Sequence, residues 1–198
     1  MRRLDDRFGG AVGQHVPPVV EIIVPRTLFF HPGHGWARLD EDGTITVGID
    51  DLLRTLISEV SSVDLPTVGE PVVVDQPIVR VGCGGRTLRV RAPISGRVIE
   101  INRQLGRDPS RLRWRPYKEG WACRLAPGDR LADELGDLVI GAEAERWMAR
   151  DIRRVDEMFR TGLLEPPIEG ALGRAPEPVW TTLERELLWS DGDPGRGV

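Results

Sequence analysis

Over the first 125 positions apolar and polar residues alternate in short runs, and most runs stop at glycine, proline or aspartate. A period of two sends successive side chains to opposite faces of a strand. Residues 36–39 and 44–49 are β-prone runs on either side of Asp40-Glu41-Asp42-Gly43, and Asp-Gly between two such runs is a hairpin signal. Further β-prone runs lie at 72–74, 78–81, 88–91, 97–101 and 121–125, residues 58–65 alternate, and 19–25 is a short run closed by Pro25. The runs at 78–81 and 88–91 flank Gly82-Cys83-Gly84-Gly85-Arg86, short enough to be a hairpin tip. One interruption is helical: residues 50–57 put Leu52, Leu53, Leu56 and Ile57 on one face behind Asp50 as N-cap. Short strands at this spacing predict a mainly β domain, a small barrel or sandwich.

The period changes after residue 131. Leu135, Leu138, Val139, Ala142, Trp147, Ile152, Val155, Met158 and Phe159 recur at helical spacing, predicting one or two amphipathic helices to residue 160. Beyond Gly162, prolines at 166, 167, 176 and 178 lead into a second amphipathic stretch with Trp180, Leu183, Leu187, Leu188 and Trp189. Residues 1–20 show no period. The chain thus divides into a flexible arm at 1–25, a β domain with its closing helix at 26–160, and a proline-containing tail with a short helix at 161–198. Five large apolar side chains in the tail must be covered, because burying each is worth roughly 1.5–3 kcal/mol. Two docking places stand open, the domain's own helix near Trp147 and a partner protein. With the β domain complete without them, the partner is the expected one, because Trp anchors are common at interfaces.

Composition narrows the chemistry. Of 198 residues 40% are apolar, enough for one core, and no run of eighteen apolar residues offers a membrane span. The basic start leads into Phe8-Gly9-Gly10 with no apolar secretory stretch, so a cytoplasmic protein is expected. Among 27 cations only Lys118 is a lysine, so any reaction needing an amine nucleophile has one candidate. Cys83 and Cys123 are forty positions apart with no C-x-x-C pair, which argues against zinc and against a structural disulfide in a reducing compartment. His31 and His34 lack a third ligand in sequence and are expected to be structural. The glycines at 82, 84 and 85 precede a strand rather than a helix, which disfavours a phosphate-binding loop.

Charge is uneven. Between Arg80 and Lys118, ten Arg and one Lys face only Glu100 and Asp108, on a chain whose net charge is −4. Arg89 and Arg91 alternate with Leu88 and Val90, so both leave one face of a strand. That face is a candidate contact for an acidic protein surface, against the plainer reading of a solvated Arg-rich surface. Nucleic acid is disfavoured, because only Trp114 and Tyr117 lie near it as stacking aromatics.

A set of strings in fixed order carries a resemblance: His34-Gly35-Trp36, Gly43-Thr44-Ile45-Thr46-Val47-Gly48-Ile49, Val63-Asp64-Leu65-Pro66, Val68-Gly69, Ala92-Pro93-Ile94-Ser95-Gly96, Ile101-Asn102 and Pro116-Tyr117-Lys118-Glu119-Gly120-Trp121. From His34 to Leu125 the chain resembles the glycine cleavage system H protein family without a gap, and the helix from Gly136 to Trp147 resembles that family's closing helix. The resemblance implies a barrel-sandwich hybrid, the lipoyl or H-protein-like fold, with a lipoyl group on a lysine at the tip of a protruding hairpin. Counting back from Pro93, that lysine falls on Gly85, and the acidic residue three positions before it falls on Gly82. Lys118 stands where the family string has glycine.

The expectation is a non-catalytic, non-lipoylated binding or structural subunit of a larger assembly, with no cofactor and no metal. Its partners are one or more protein subunits, with a redox or one-carbon enzyme as one candidate, and without membrane insertion. Arg89, Arg91, Trp180, Leu183, Leu187 and Trp189 are the candidate partner contacts. Two alternatives stand beside it: a carrier using Cys83 at an exposed hairpin tip, its thiol pKa lowered by Arg86, and a basic adaptor for nucleic acid.

Overall fold

A computed structural model describes residues 21–57 and 59–188, with side chains to residue 185. The residues form ten strands and seven helices: β1 (Phe29–Phe30), β2 (Gly35–Leu39), β3 (Ile45–Ile49), α1 (Asp51–Leu56), β4 (Val60–Asp64), β5 (Pro71–Val72), β6 (Pro77–Cys83), β7 (Arg86–Arg91), β8 (Gly96–Ile101), α2 (Arg103–Arg107), α3 (Arg111–Trp114), β9 (Trp121–Pro127), α4 (Leu131–Gly136), β10 (Val139–Ile140), α5 (Gly141–Arg160), α6 (Ala171–Arg174) and α7 (Glu177–Leu188). A seven-stranded sheet runs β10-β1-β2-β3-β9-β8-β5 and a three-stranded sheet runs β4-β6-β7, every pairing antiparallel. The sandwich-like, mainly β architecture read from the sequence is the one observed.

The core begins at Trp36, fully buried in β2 opposite Gly48 of β3. A Cβ at Gly48 would lie 2.7 Å from the indole ring, so glycine in mid-strand makes the room the ring fills. The indole Nε1 donates to the Ile49 carbonyl at 3.1 Å, which satisfies its one polar atom. Asp50 caps α1 as read, accepting from the Leu53 amide at 2.9 Å, and the helix buries Leu52, Leu53 and Leu56.

Local readings differ from the structure at three places. Strand β5 stops at Val72, because the chain turns at Asp75 (φ +68°) and the Val74 amide bonds to Ser95 Oγ instead of a strand. Residues 21–25 form no strand and are not loose: the Ile23 amide donates to Asp51 Oδ2 at 2.8 Å and Tyr117 Oη donates to the Ile23 carbonyl at 2.7 Å. The rest of the expected arm, residues 1–20, lies outside the described residues. The connection at 103–114, to which the sequence reading assigns no element, carries α2 and α3. Asn102 caps the first through the Leu105 amide, and Leu105 and Leu112 bury one face of the pair.

The tail departs most from expectation. Trp180 and Leu183 do not wait for a partner; they are 5% and 2% exposed, buried in the same core as Leu164, Ile168, Ala171, Leu172 and Ala175. The Gly170 amide donates to the Thr55 carbonyl at 3.0 Å and ties the segment to α1, while α7 lies against β7. The physical reason is that the proline-rich stretch supplies its own apolar residues, so it packs down instead of acting as a spacer. The side chain of Leu187, and Trp189 entirely, lie outside the described residues. Among the described residues no helix is long and apolar enough to cross a membrane.

Candidate functional site

Strands β6 and β7 pair from Pro77↔Arg91 to Cys83↔Arg86, leaving a two-residue loop of Gly84 and Gly85. Both take positive φ, +57° and +77°, the backbone such a tight hairpin requires and one that side chains other than glycine strain to adopt. The tip is therefore where the sequence places it, and Gly85, the position the resemblance assigns to a lysine, has no heavy atom within 4 Å of where its Cβ would stand. At Gly84 the opposite holds: a Cβ there would collide with the Gly173 carbonyl.

Cys83 corrects the sequence reading. It is not exposed at the tip but buried, at 1% exposure. Burial pushes its thiol up to about 11, and the nearby Arg86 guanidinium offsets only part of that. Cys123 is buried too, pushed up to about 12 by burial with a smaller contribution from the Glu70 charge. Neither thiol supplies a thiolate near neutral pH, and the Cys83 carrier loses its chemical basis.

Arg86, assigned to that thiol, serves the tail instead. Its Nη1 donates to the Ala175 carbonyl at 2.6 Å, its Nε lies 3.1 Å from Glu177 Oε2, and its guanidinium stacks over the Trp180 ring at 5.2 Å from the centroid. One side chain at the start of β7 thus holds three residues around the start of α7. Arg89 projects into solvent beside Arg80 of β6, which faces Asp64 across the next pairing. Arg91 leaves the same face, as read, but donates to the Asp75 carbonyl at 2.6 Å; it braces a turn of its own chain.

His31 and His34 are both buried, and each meets a carboxylate. His31 Nε2 lies 2.8 Å from Asp75 Oδ1. His34 (φ +60°) sets Nδ1 2.7 Å from Asp50 Oδ2, with Nε2 3.9 Å from Asp151 Oδ2 on α5 and the ring 5.2 Å from that of Trp147. Burial works against charge on His34, yet the Asp50 carboxylate, its hydrogen bond and the Asp151 charge outweigh burial and the Arg154 charge. The pKa stands above the ordinary imidazole value. Among the described residues no group of three or more His, Cys, Asp or Glu is placed to hold a metal ion. Lys118 is exposed in the turn between α3 and β9, remote in sequence from the tip.

The residues that sequence reasoning missed are Gly173, which meets the tip, and Leu164, Ile168 and Leu172, which are buried in the same segment. Their signal was available as spaced apolar residues among the prolines of 164–172, but nothing local says which surface they cover.

Comparison with known proteins sets these residues in context. The sequence profile described as "Glycine cleavage H-protein" matches residues 28–151. The chain is 44% identical over 110 residues to a glycine cleavage system H protein from Psychrobacter cryohalolentis, covering 56% of this chain and 86% of that one. It is 33% identical over 129 residues to a probable glycine cleavage system H protein from Pyrococcus abyssi, covering 65% and 92%. In three dimensions it is similar to a glycine cleavage system H protein from Mycobacterium marinum, with a TM-score of 0.55 and 24% identity, over 65% of this chain and 98% of that one. The profile match ends at residue 151, within α5, so the segment that grips the hairpin lies beyond it.

Proposed function

The chain belongs to the glycine cleavage H-protein family, and we propose that it works as a non-catalytic binding or structural subunit of a larger protein assembly without carrying a lipoyl group. H proteins are carrier subunits rather than catalysts, and they act by meeting other subunits of their system. A carrier arm joined through an amide needs a lysine amine at the hairpin tip, and this chain has Gly85 there. That single residue carries the proposal. Gly82, where the family has an acidic side chain, and the confinement of lysine to Lys118 support it.

What remains for such a domain is recognition. Arg89, exposed beside Arg80 on the outer face of the β4-β6-β7 sheet, is the contact we assign to an acidic partner surface. The test is purification of the full chain from its own host at low salt. The expected result is an unmodified chain that co-purifies with a defined set of subunits, released by salt and lost in an Arg80→Glu/Arg89→Glu variant. A chain that elutes alone under every condition, or one that bears a lipoyl adduct, overturns the proposal.

A further inference from the structure

A missing lysine is one barrier to carrier chemistry at the tip; the C-terminal segment is a second. We infer that residues 163–185 form a self-docked cap, latched by Arg86, that keeps other proteins from closing around the β6–β7 tip. The inference rests on reading this tip as the family's carrier position.

A second protein that encloses this two-residue loop needs both of its sides free. Here one side is already occupied. The Cβ direction of Gly84 runs into the Gly173 carbonyl, so α6 stands in backbone contact with the loop. Behind it the start of α7 is fixed by Arg86, through the Ala175 carbonyl, the Glu177 carboxylate and the Trp180 ring. Trp180 and Leu183 are buried in the core, and Gly170 joins the segment to α1. Gly85 alone keeps an open direction. A side chain there has room to exist, while a protein enclosing it would have to displace α6 and α7. The latch is polar and peripheral, and the apolar contacts lie deeper. Loss of Arg86 should therefore free the segment at the tip without emptying the core.

Installing an acceptor makes the cap measurable. Gly85→Lys is made in the full chain, alone and combined with Arg86→Ala or with Trp180→Ala. Each is incubated with a lipoate–protein ligase, lipoate and ATP, and the site of any adduct is mapped by peptide mass. In that reaction the lipoate carboxylate attacks the α-phosphorus of ATP and pyrophosphate leaves; the lysine amine then attacks the carboxyl carbon of the lipoyl adenylate, AMP leaves, the amide forms and a proton is released. Hydrogen exchange over 171–183 reports whether the segment is off. We expect little or no adduct at position 85 in Gly85→Lys, and at least tenfold more in both combined variants, with faster exchange at 171–183. Equal modification with and without the release substitutions, at whatever level, overturns the cap. Unchanged exchange in the Arg86→Ala background overturns the latch. Lipoylation of the unsubstituted chain would refute the proposed function and leave the cap standing, so the two failures are distinguishable.

Discussion

Gly84 at the hairpin tip and Gly173 in the C-terminal segment meet backbone to backbone, and the contact is one-sided. A Cβ on Gly84 would strike the Gly173 carbonyl, whereas a Cβ on Gly173 would rest 3.4 Å from the Gly84 nitrogen, an ordinary packing distance. Three alanine substitutions separate the causes. Gly85→Ala meets no atom and reports only the cost of positive φ, about 1–2 kcal/mol. Gly84→Ala adds a backbone collision and should cost at least 1 kcal/mol more, whereas Gly173→Ala, within α6, should be close to neutral. Urea unfolding midpoints check the order; equal costs at 84 and 85 would contradict the contact.

Burial of Trp180 and Leu183 makes the tail part of the fold. Trp180→Ala should destabilise by about 3 kcal/mol, in the range for emptying a large buried aromatic site. Truncation after Gly162 should lower the melting temperature by well over ten degrees or prevent folding. A truncated chain that melts within a few degrees of the full one would restore the tail to the role of an independent partner-binding arm.

His34 gives stability a pH dependence of definite sign. Its folded pKa is raised above the ordinary 6.5, so its contribution is complete below about pH 6.5 and is lost as pH rises through the folded value. Thermal melts from pH 6 to 9 should show stability falling over the window above 6.5. Asparagine tolerates the left-handed backbone at this position, and His34→Asn should flatten that slope. A slope unchanged by the substitution would place the titration elsewhere.

Both cysteines should resist thiol reagents in the folded protein at pH 8, since burial raises each pKa well above that pH. Labelling should become complete in denaturant. Rapid labelling of Cys83 in the native chain would revive its use as a carrier thiol.

The strands were legible because their signals are local. Asp40 to Gly43 closes a hairpin through its own hydrogen bonds, with the Gly43 amide bonded to the Asp40 carbonyl, and Asp50 announces α1 by capping it. The tip was legible as a turn from Gly84 and Gly85 for the same reason. Its surroundings were not. The alternation that sends Val79 and Val81 inward also sends Cys83 inward, but the packing of Gly173 against the end of the hairpin is a tertiary fact. Arg86 offered a cation and no direction; its partners Ala175, Glu177 and Trp180 lie about ninety residues away in sequence. Amphipathicity showed that Trp180 and Leu183 must be covered, and the covering surface is a tertiary fact.

The central claim is that a chain with Gly85 at the tip carries no lipoyl group. Intact mass of the full protein, isolated from its own host and again after incubation with a lipoate–protein ligase, lipoate and ATP, measures this directly. The account predicts the mass of the unmodified polypeptide in both samples. A gain equal to one lipoyl group, on Lys118 or anywhere else, would contradict it.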